Sequence, residues 1–283
     1  MALISRSLQL TGTADHGTRF EFGRNWASFL SSIDQHRIET STAALGSMLG
    51  VQDLNGVTFL DAGCGSGLAS LSAWKLGASV RSFDFDPTSV ACTRELRRRY
   101  AEPTNRWTVE QGSVLDEAYL SSLGLFDIVY SWGVLHHSGD MRRALQLVAE
   151  RVKTGGVLFV AIYHDQGGAS RRWSTVKQLY HRLPIILRPA WVAAVASIYE
   201  AKFAAARLAR GRSPMPTADW KQKSVDRGMS VWHDWVDWVG GWPFEVASPD
   251  AIINPLAVQG FRLQRLKTVG SGWGCNEYVF QRV

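Results

Sequence analysis

The residue types able to do chemistry fall at a few places in this 283-residue chain. The run Asp61-Ala-Gly63-Cys64-Gly65-Ser-Gly67 sets three glycines beside a carboxylate and a thiol. Glycines let a chain turn sharply and bring backbone amides against a ligand, and a helix N-terminus favours an anionic group. Dinucleotide enzymes use a similar loop, but their fingerprint needs Gly or Ala three residues after its second glycine. That position is Leu68, and the third glycine comes one residue early. Asp84 lies at the end of the next predicted strand, about 20 residues on, where a carboxylate can accept both hydroxyls of a bound ribose. Asp86, beside Pro87, reads instead as the start of the following helix.

Histidines supply the remaining candidates. His136 and His137 follow a predicted strand at the carboxyl end of the sheet, where open α/β sheets bind ligands. His137 is the candidate for the acceptor side, and a turn histidine with satisfied hydrogen bonds accounts for at least one of the two. His164 and Asp165 stand at the same end of the next strand. On a helix, His233 and Asp237 share a face and can act as a base and its orienter, or His233 can be a packing strut. No third ligand is set at a supporting spacing, so no metal site is expected.

These residues need elements to position them. Strands are predicted at 57–61, 79–84, 107–110, 126–131 and 156–162, with helices at 68–76, 87–100 and 141–152. Strands alternating with helices predict an α/β fold with a parallel sheet covered on both faces. From about Ala169 to Trp242 the chain is helical and aromatic-rich, and two further strands follow at 261–269 and 276–283. A sheet that resumes after the excursion makes the excursion an insertion. The expected division is an N-terminal helical cap at 1–56, a core at 57–168, an insertion at 169–245 covering the acceptor site, and final strands at 246–283.

Composition bounds the class. Three unclustered cysteines, Cys64, Cys92 and Cys275, argue against a disulfide framework and fit a reducing, cytoplasmic setting. The N-terminus lacks a basic region followed by a long apolar stretch, so no secretion signal is expected. The longest apolar segment, 184–199, is broken by Arg188 and Pro189 and is too short to span a bilayer. The alternation of basic and apolar residues over 184–206 permits peripheral membrane contact. The net charge is +6, but many of the basic residues sit in short helical clusters such as Arg94 to Arg99 and Arg207 to Arg212, with no RNA-binding motif, so nucleic acid is not the expected partner. The aromatic insertion suits a small hydrophobic or aromatic acceptor, and equally a homodimer interface.

The motifs together resemble a known family. Asp-Ala-Gly-Cys-Gly-Ser-Gly, Ser-Phe-Asp-Phe-Asp-Pro, Phe-Asp-Ile-Val-Tyr-Ser-Trp-Gly-Val-Leu-His-His and Lys-Thr-Gly-Gly-Val-Leu-Phe-Val-Ala-Ile-Tyr are similar to class I S-adenosylmethionine-dependent methyltransferases. Within these, the branch containing the ubiquinone and menaquinone methylases is the most alike. The resemblance implies a Rossmann-like, mostly parallel seven-stranded sheet with S-adenosyl-L-methionine as cofactor. It places Asp61, Gly63, Cys64, Gly65 and Gly67 around the methionine half, Asp84 on the ribose and Phe85 on the adenine face. Ser113 and Val114 would meet the adenine edge, where the family usually carries an acidic residue. Ser131 and Trp132 would face the sulfonium. In the N-terminal segment, Arg24 can pair with the methionine carboxylate and Trp26 can close over the cofactor; a capping helix packed by Phe20, Phe22 and Trp26 is the other reading. The expected activity is methyl transfer to oxygen or carbon of a small hydrophobic, aromatic or sugar-type metabolite. The alternatives are a methyltransferase acting on tRNA or another RNA, and a non-catalytic cofactor-binding regulator.

Overall fold

The computed structural model describes residues 20, 30, 33–101, 105–215, 231–270 and 272–283, leaving aside the side chain of His233. After helix α1 (Gln35–Leu49), strand and helix alternate: β1 (Thr58–Ala62), α2 (Leu68–Lys75), β2 (Ser79–Asp84), α3 (Pro87–Tyr100) and β3 (Trp107–Gln111). The pattern continues through α4 (Glu117–Ser122), β4 (Phe126–Trp132), α5 (Met141–Ala149) and β5 (Val152–Tyr163). Seven strands form one sheet in the order β3-β2-β1-β4-β5-β7-β6. The first five are parallel, whereas β7 (Cys275–Arg282) runs antiparallel to both β5 and β6 (Phe261–Lys267).

Strand residues alternate between two buried faces, as expected where helices cover both sides. Leu60, Ala62, Val129 and Leu158 pack against α4, α5 and α9 (Pro249–Val258). Phe59, Ile128 and Phe159 pack against α1, α2 and α3. The sheet and its helical layers agree with the sequence expectation, apart from the end of α5 and two short helices, α4 and α9, that were not expected. Helix α5 stops at Ala149, because Val152 already pairs with Phe126, and a register shift in β5 follows before Val157 pairs with Ile128. Helix α9 was not expected, since Pro255 interrupts its apolar spacing.

Between β5 and α9 the chain forms α6 (Gly168–Arg182), a 3-10 turn (Ile185–Leu187), α7 (Arg188–Leu208) and α8 (Val231–Gly240). Trp173, Tyr180, Val192, Val195, Trp235 and Val239 give these helices a core of their own. Pro189 sits in the first turn of α7, where its missing N–H costs nothing.

Candidate active site

A cavity of about 600 Å3 opens at the carboxyl end of the sheet, between the β1–α2 loop and the return loop after α8. Its floor is the glycine loop. Gly63 has φ 88°, and a Cβ there would lie 2.4 Å from Val134 Cγ1, so only glycine keeps the loop against the turn after β4. Gly67 is different: it starts α2 at φ 84° against Thr93 and does not line the cavity.

A buried relay holds Asp61. The Trp107 indole donates to Ser82 Oγ at 2.9 Å, Ser82 and Ser70 hydroxyls lie 2.7 Å apart, and Ser70 donates to Asp61 Oδ2 at 2.5 Å. Burial pushes the Asp61 carboxyl up to about 7, and the nearby Asp84 charge adds to the rise. Asp84 accepts from Gly65 N and from Asp86 N, both at 2.9 Å, which fixes its carboxylate across the loop. Burial raises Asp84 to about 6. Asp86 caps α3, accepting from Thr88 N. Phe85 projects into the cavity with half of its surface exposed. Ser113 and Val114 also line the cavity, the Ser113 hydroxyl accepting from Leu115 N at 3.2 Å. Cys64 lines the floor, but its thiol accepts from Thr93 and is raised well above its ordinary range by burial, so it is not a nucleophile.

Part of the lining is aromatic. Phe20, Tyr130, Trp132, His137 and Trp242 form it. Trp132 donates to Glu277 at 3.3 Å and stays partly exposed. The loop after α8 is stitched to the histidine turn: His137 Nδ1 bonds the Pro243 carbonyl at 2.5 Å, and Glu245 N donates to His136 O at 3.0 Å. Glu245 in turn accepts from Met141 N at 3.0 Å. A neutral His137 therefore carries its proton on Nδ1 and its lone pair on Nε2. Burial holds its pKa at about 3, far below the range in which a base is effective.

The structure thus brings Asp61, Gly63, Cys64, Gly65, Asp84, Phe85, Ser113, Val114, Trp132 and His137 to one cavity. It does not bring Ser131, whose hydroxyl points into the sheet and donates to Ala62 O at 2.8 Å; the alternation of β4 turns it from the cavity that Trp132 enters. Nor does it bring Asp237, which acts electrostatically on Lys177 and Tyr180. This placement gives no support to a His233–Asp237 base couple in the cavity. His164 bonds Asn276, and Asp165 caps the turn to α6 by accepting from Gly167 N; neither lines the cavity. Arg24, Trp26 and the His233 side chain lie outside the described residues.

Tyr130 was missed. It pairs with Asp61 across β1 and β4, its ring packs on Phe59 and Phe159, and it lines the cavity. Burial and the charges of Asp61 and Glu277 hold its hydroxyl protonated. The signal was strand alternation: Tyr130 has the parity of Trp132.

Residues 60–158 match the model of a methyltransferase domain family. The match covers about a third of the chain, and the sheet around it has the fold of class I methyltransferases. Ubiquinone biosynthesis O-methyltransferase from Methylocella silvestris is 32% identical over 108 residues, 38% of this chain and 40% of that protein. The chain spans less than half the length of the curated relatives it matches. Magnesium protoporphyrin IX methyltransferase from Synechocystis, solved with S-adenosylhomocysteine bound, superposes with a TM-score of 0.55 at 14% identity, over 92% of this chain and 94% of that one. A [4+2]-cyclase shares the fold with a TM-score of 0.51 at 12% identity, over 85% of this chain and 79% of the other. The cofactor of the methyltransferase class is S-adenosylmethionine. No described helix is long and apolar enough to cross a membrane.

Proposed function

We propose that the chain transfers a methyl group from S-adenosylmethionine to oxygen or carbon of a small hydrophobic, aromatic or sugar-type metabolite. The observation that carries this reading is a single cavity with two kinds of lining: the glycine loop, Asp84 and the half-exposed Phe85, and the rings of Phe20, Tyr130, Trp132 and Trp242. An exposed ring beside a fixed carboxylate fits a nucleoside, the ring meeting the base and Asp84 accepting the ribose hydroxyls. The loop from Asp61 to Gly65 would hold the amino-acid end. When bound, S-adenosylmethionine supplies a methyl carbon made electrophilic by its sulfonium.

The chain's own part is alignment and exclusion of water. Trp132 offers an aromatic face to a cation, a contact of about 0.5–2 kcal/mol. The Tyr130 hydroxyl stays protonated and so can donate to a bound acceptor, and His137 stays unprotonated at physiological pH. Where a phenol or alcohol must lose a proton, His233, the candidate from sequence, is the base to test, without Asp237 as its orienter in the cavity. Its replacement by Ala then lowers turnover and leaves cofactor affinity unchanged; loss of folding instead makes it a strut.

The test is incubation with S-adenosylmethionine labelled in the methyl group and a panel of catechols, quinols and sugars, followed by organic extraction. Label in one acceptor supports the reading. Cofactor binding in calorimetry without label in any acceptor, including those of a cell extract, replaces it with a non-catalytic role. Label in RNA alone moves the acceptor to nucleic acid.

A further inference from the structure

The α6–α7 hairpin and the residues just after it carry the chain's excess of positive charge. Residues 168–215 contain nine Lys or Arg and one acidic residue, Glu200; the other 235 residues contain 22 basic and 24 acidic ones. The net +6 of the whole chain therefore comes from this hairpin alone. Six of its basic residues, Arg171, Arg172, Arg182, Lys202, Arg210 and Arg212, are exposed. Glu200 is already engaged, facing Arg207 at 4.0 Å and accepting from the Trp235 indole at 3.3 Å.

The same hairpin exposes aliphatic surface that a solvated helix pair would not. At its tip Ile185 is 78% exposed and Ile186 84%. Along α7 the outward row is Ala190, Ala194, Ile198, Ala201, Ala205 and Leu208, all exposed. A water-facing helix surface ordinarily carries charges, and Lys202 is the one fully exposed charge in α7. None of the hairpin's residues lines the cavity, so this surface is not part of the site already described.

We propose that the α6–α7 hairpin docks on the surface of an anionic lipid bilayer, with the Ile185–Leu187 turn entering the boundary between headgroups and acyl chains. Apolar residues flanked by Arg and Lys are the pattern that binds such a boundary, the cations meeting lipid phosphates and the aliphatic tips leaving water. A second copy would bring a hairpin of the same strong positive charge, and like charges face to face oppose that contact. Single-stranded RNA is gripped by cations interleaved with exposed aromatic rings. Here the exposed tip is aliphatic, and Trp191 is turned inward to donate to Val176 O at 3.2 Å. Charge and apolar surface together fit the lipid.

The test uses the full chain without cofactor or acceptor, so its outcome is separate from that of the methyl-transfer reading. In flotation with vesicles of phosphatidylglycerol and phosphatidylcholine in equal parts, the protein rises with the lipid, and about 0.5 M salt releases it. It stays down with phosphatidylcholine alone. An Ile185→Ser/Ile186→Ser variant loses at least about tenfold in binding, as does Arg182→Glu/Arg210→Glu, each with an unchanged melting temperature. No binding to the anionic vesicles, or binding that neither variant weakens, overturns the proposal. So does a dimer in sedimentation that the Ile variant converts to monomer while lipid binding is absent, or retention of RNA without retention of lipid.

Discussion

Asp61 and Asp84 are two carboxyls lining one cavity, raised by burial to about 7 and about 6. An ordinary Asp titrates at about 3.8, so between pH ~4 and ~7 the folded chain holds protons that the unfolded chain has released. Ligand-free stability therefore falls as pH rises through that window. Asp61→Asn, which keeps the shape but carries no charge, should melt above the wild type at pH 8, by about 1–4 kcal/mol, and level with it at pH 4, as calorimetric scans would show. Cofactor binding has the opposite sign, because only the ionised Asp84 accepts from two hydroxyls. Affinity for S-adenosylhomocysteine should fall about tenfold per pH unit below about 6 in titration calorimetry. Asp84→Asn should bind about 1–3 kcal/mol more weakly at pH 7.5 and lose that pH dependence; an unchanged affinity would remove Asp84 from the ribose. Tyr130→Phe should leave the stability within about 0.5 kcal/mol of wild type, since its hydroxyl has no partner among the described residues, and lower turnover in the labelled-methyl assay. The glycine loop and Asp84 were legible because a tight turn and a strand end are local in the chain. Tyr130 was not, because its place in the cavity depends on its register opposite Asp61.

Helix α8 shows how one element is held by another distant in sequence. Its last carbonyls have no partners within the helix, and they carry the negative end of its dipole. Lys177 and His181, four apart on α6, supply donors: Lys177 Nζ to Trp238 O, and His181 Nε2 to Gly240 O at 2.6 Å. The Lys177 ammonium also lies 4.9 Å from the Phe244 ring centroid. Burial still lowers its pKa to about 7, with Asp237 opposing the drop. The folded chain thus holds fewer protons than the unfolded one between pH ~7 and ~10, and this group favours the fold more as pH rises through that range. Lys177→Met should cost about 1–3 kcal/mol at pH 9, where the neutral amine still donates, and less at pH 6; equal losses at both would show that packing alone is at work. Sixty residues separate donor and acceptor, so the helical, aromatic character of the segment was readable while this cap was not. Pro255 hid α9 for a simpler reason, breaking the spacing by which helices are recognised.

At the scale of the molecule, the cavity lies where three parts of the chain meet: the sheet ends, the histidine turn and the loop returning from α8. The hydrogen bonds from Phe20 N to Trp242 O and from His137 to Pro243 O close that junction. A ligand bound there is linked to the folding of all three, and it stabilises by mass action. At one hundred times its dissociation constant, S-adenosylhomocysteine should add about 2.7 kcal/mol. For a chain of this size each kcal/mol moves the melting temperature by about 2 °C, so a rise of about 5 °C is expected. The rise should shrink at pH 5, where Asp84 is protonated, and nearly vanish in Asp84→Asn. It should persist in full in Ile185→Ser/Ile186→Ser, because the hairpin tip contributes nothing to the cavity wall. A folded protein whose melting temperature ignores S-adenosylhomocysteine at every concentration would separate the fold from cofactor binding, as a shared scaffold alone permits. A rise equal in Asp84→Asn and wild type would instead keep the binding and place the ribose elsewhere in the cavity.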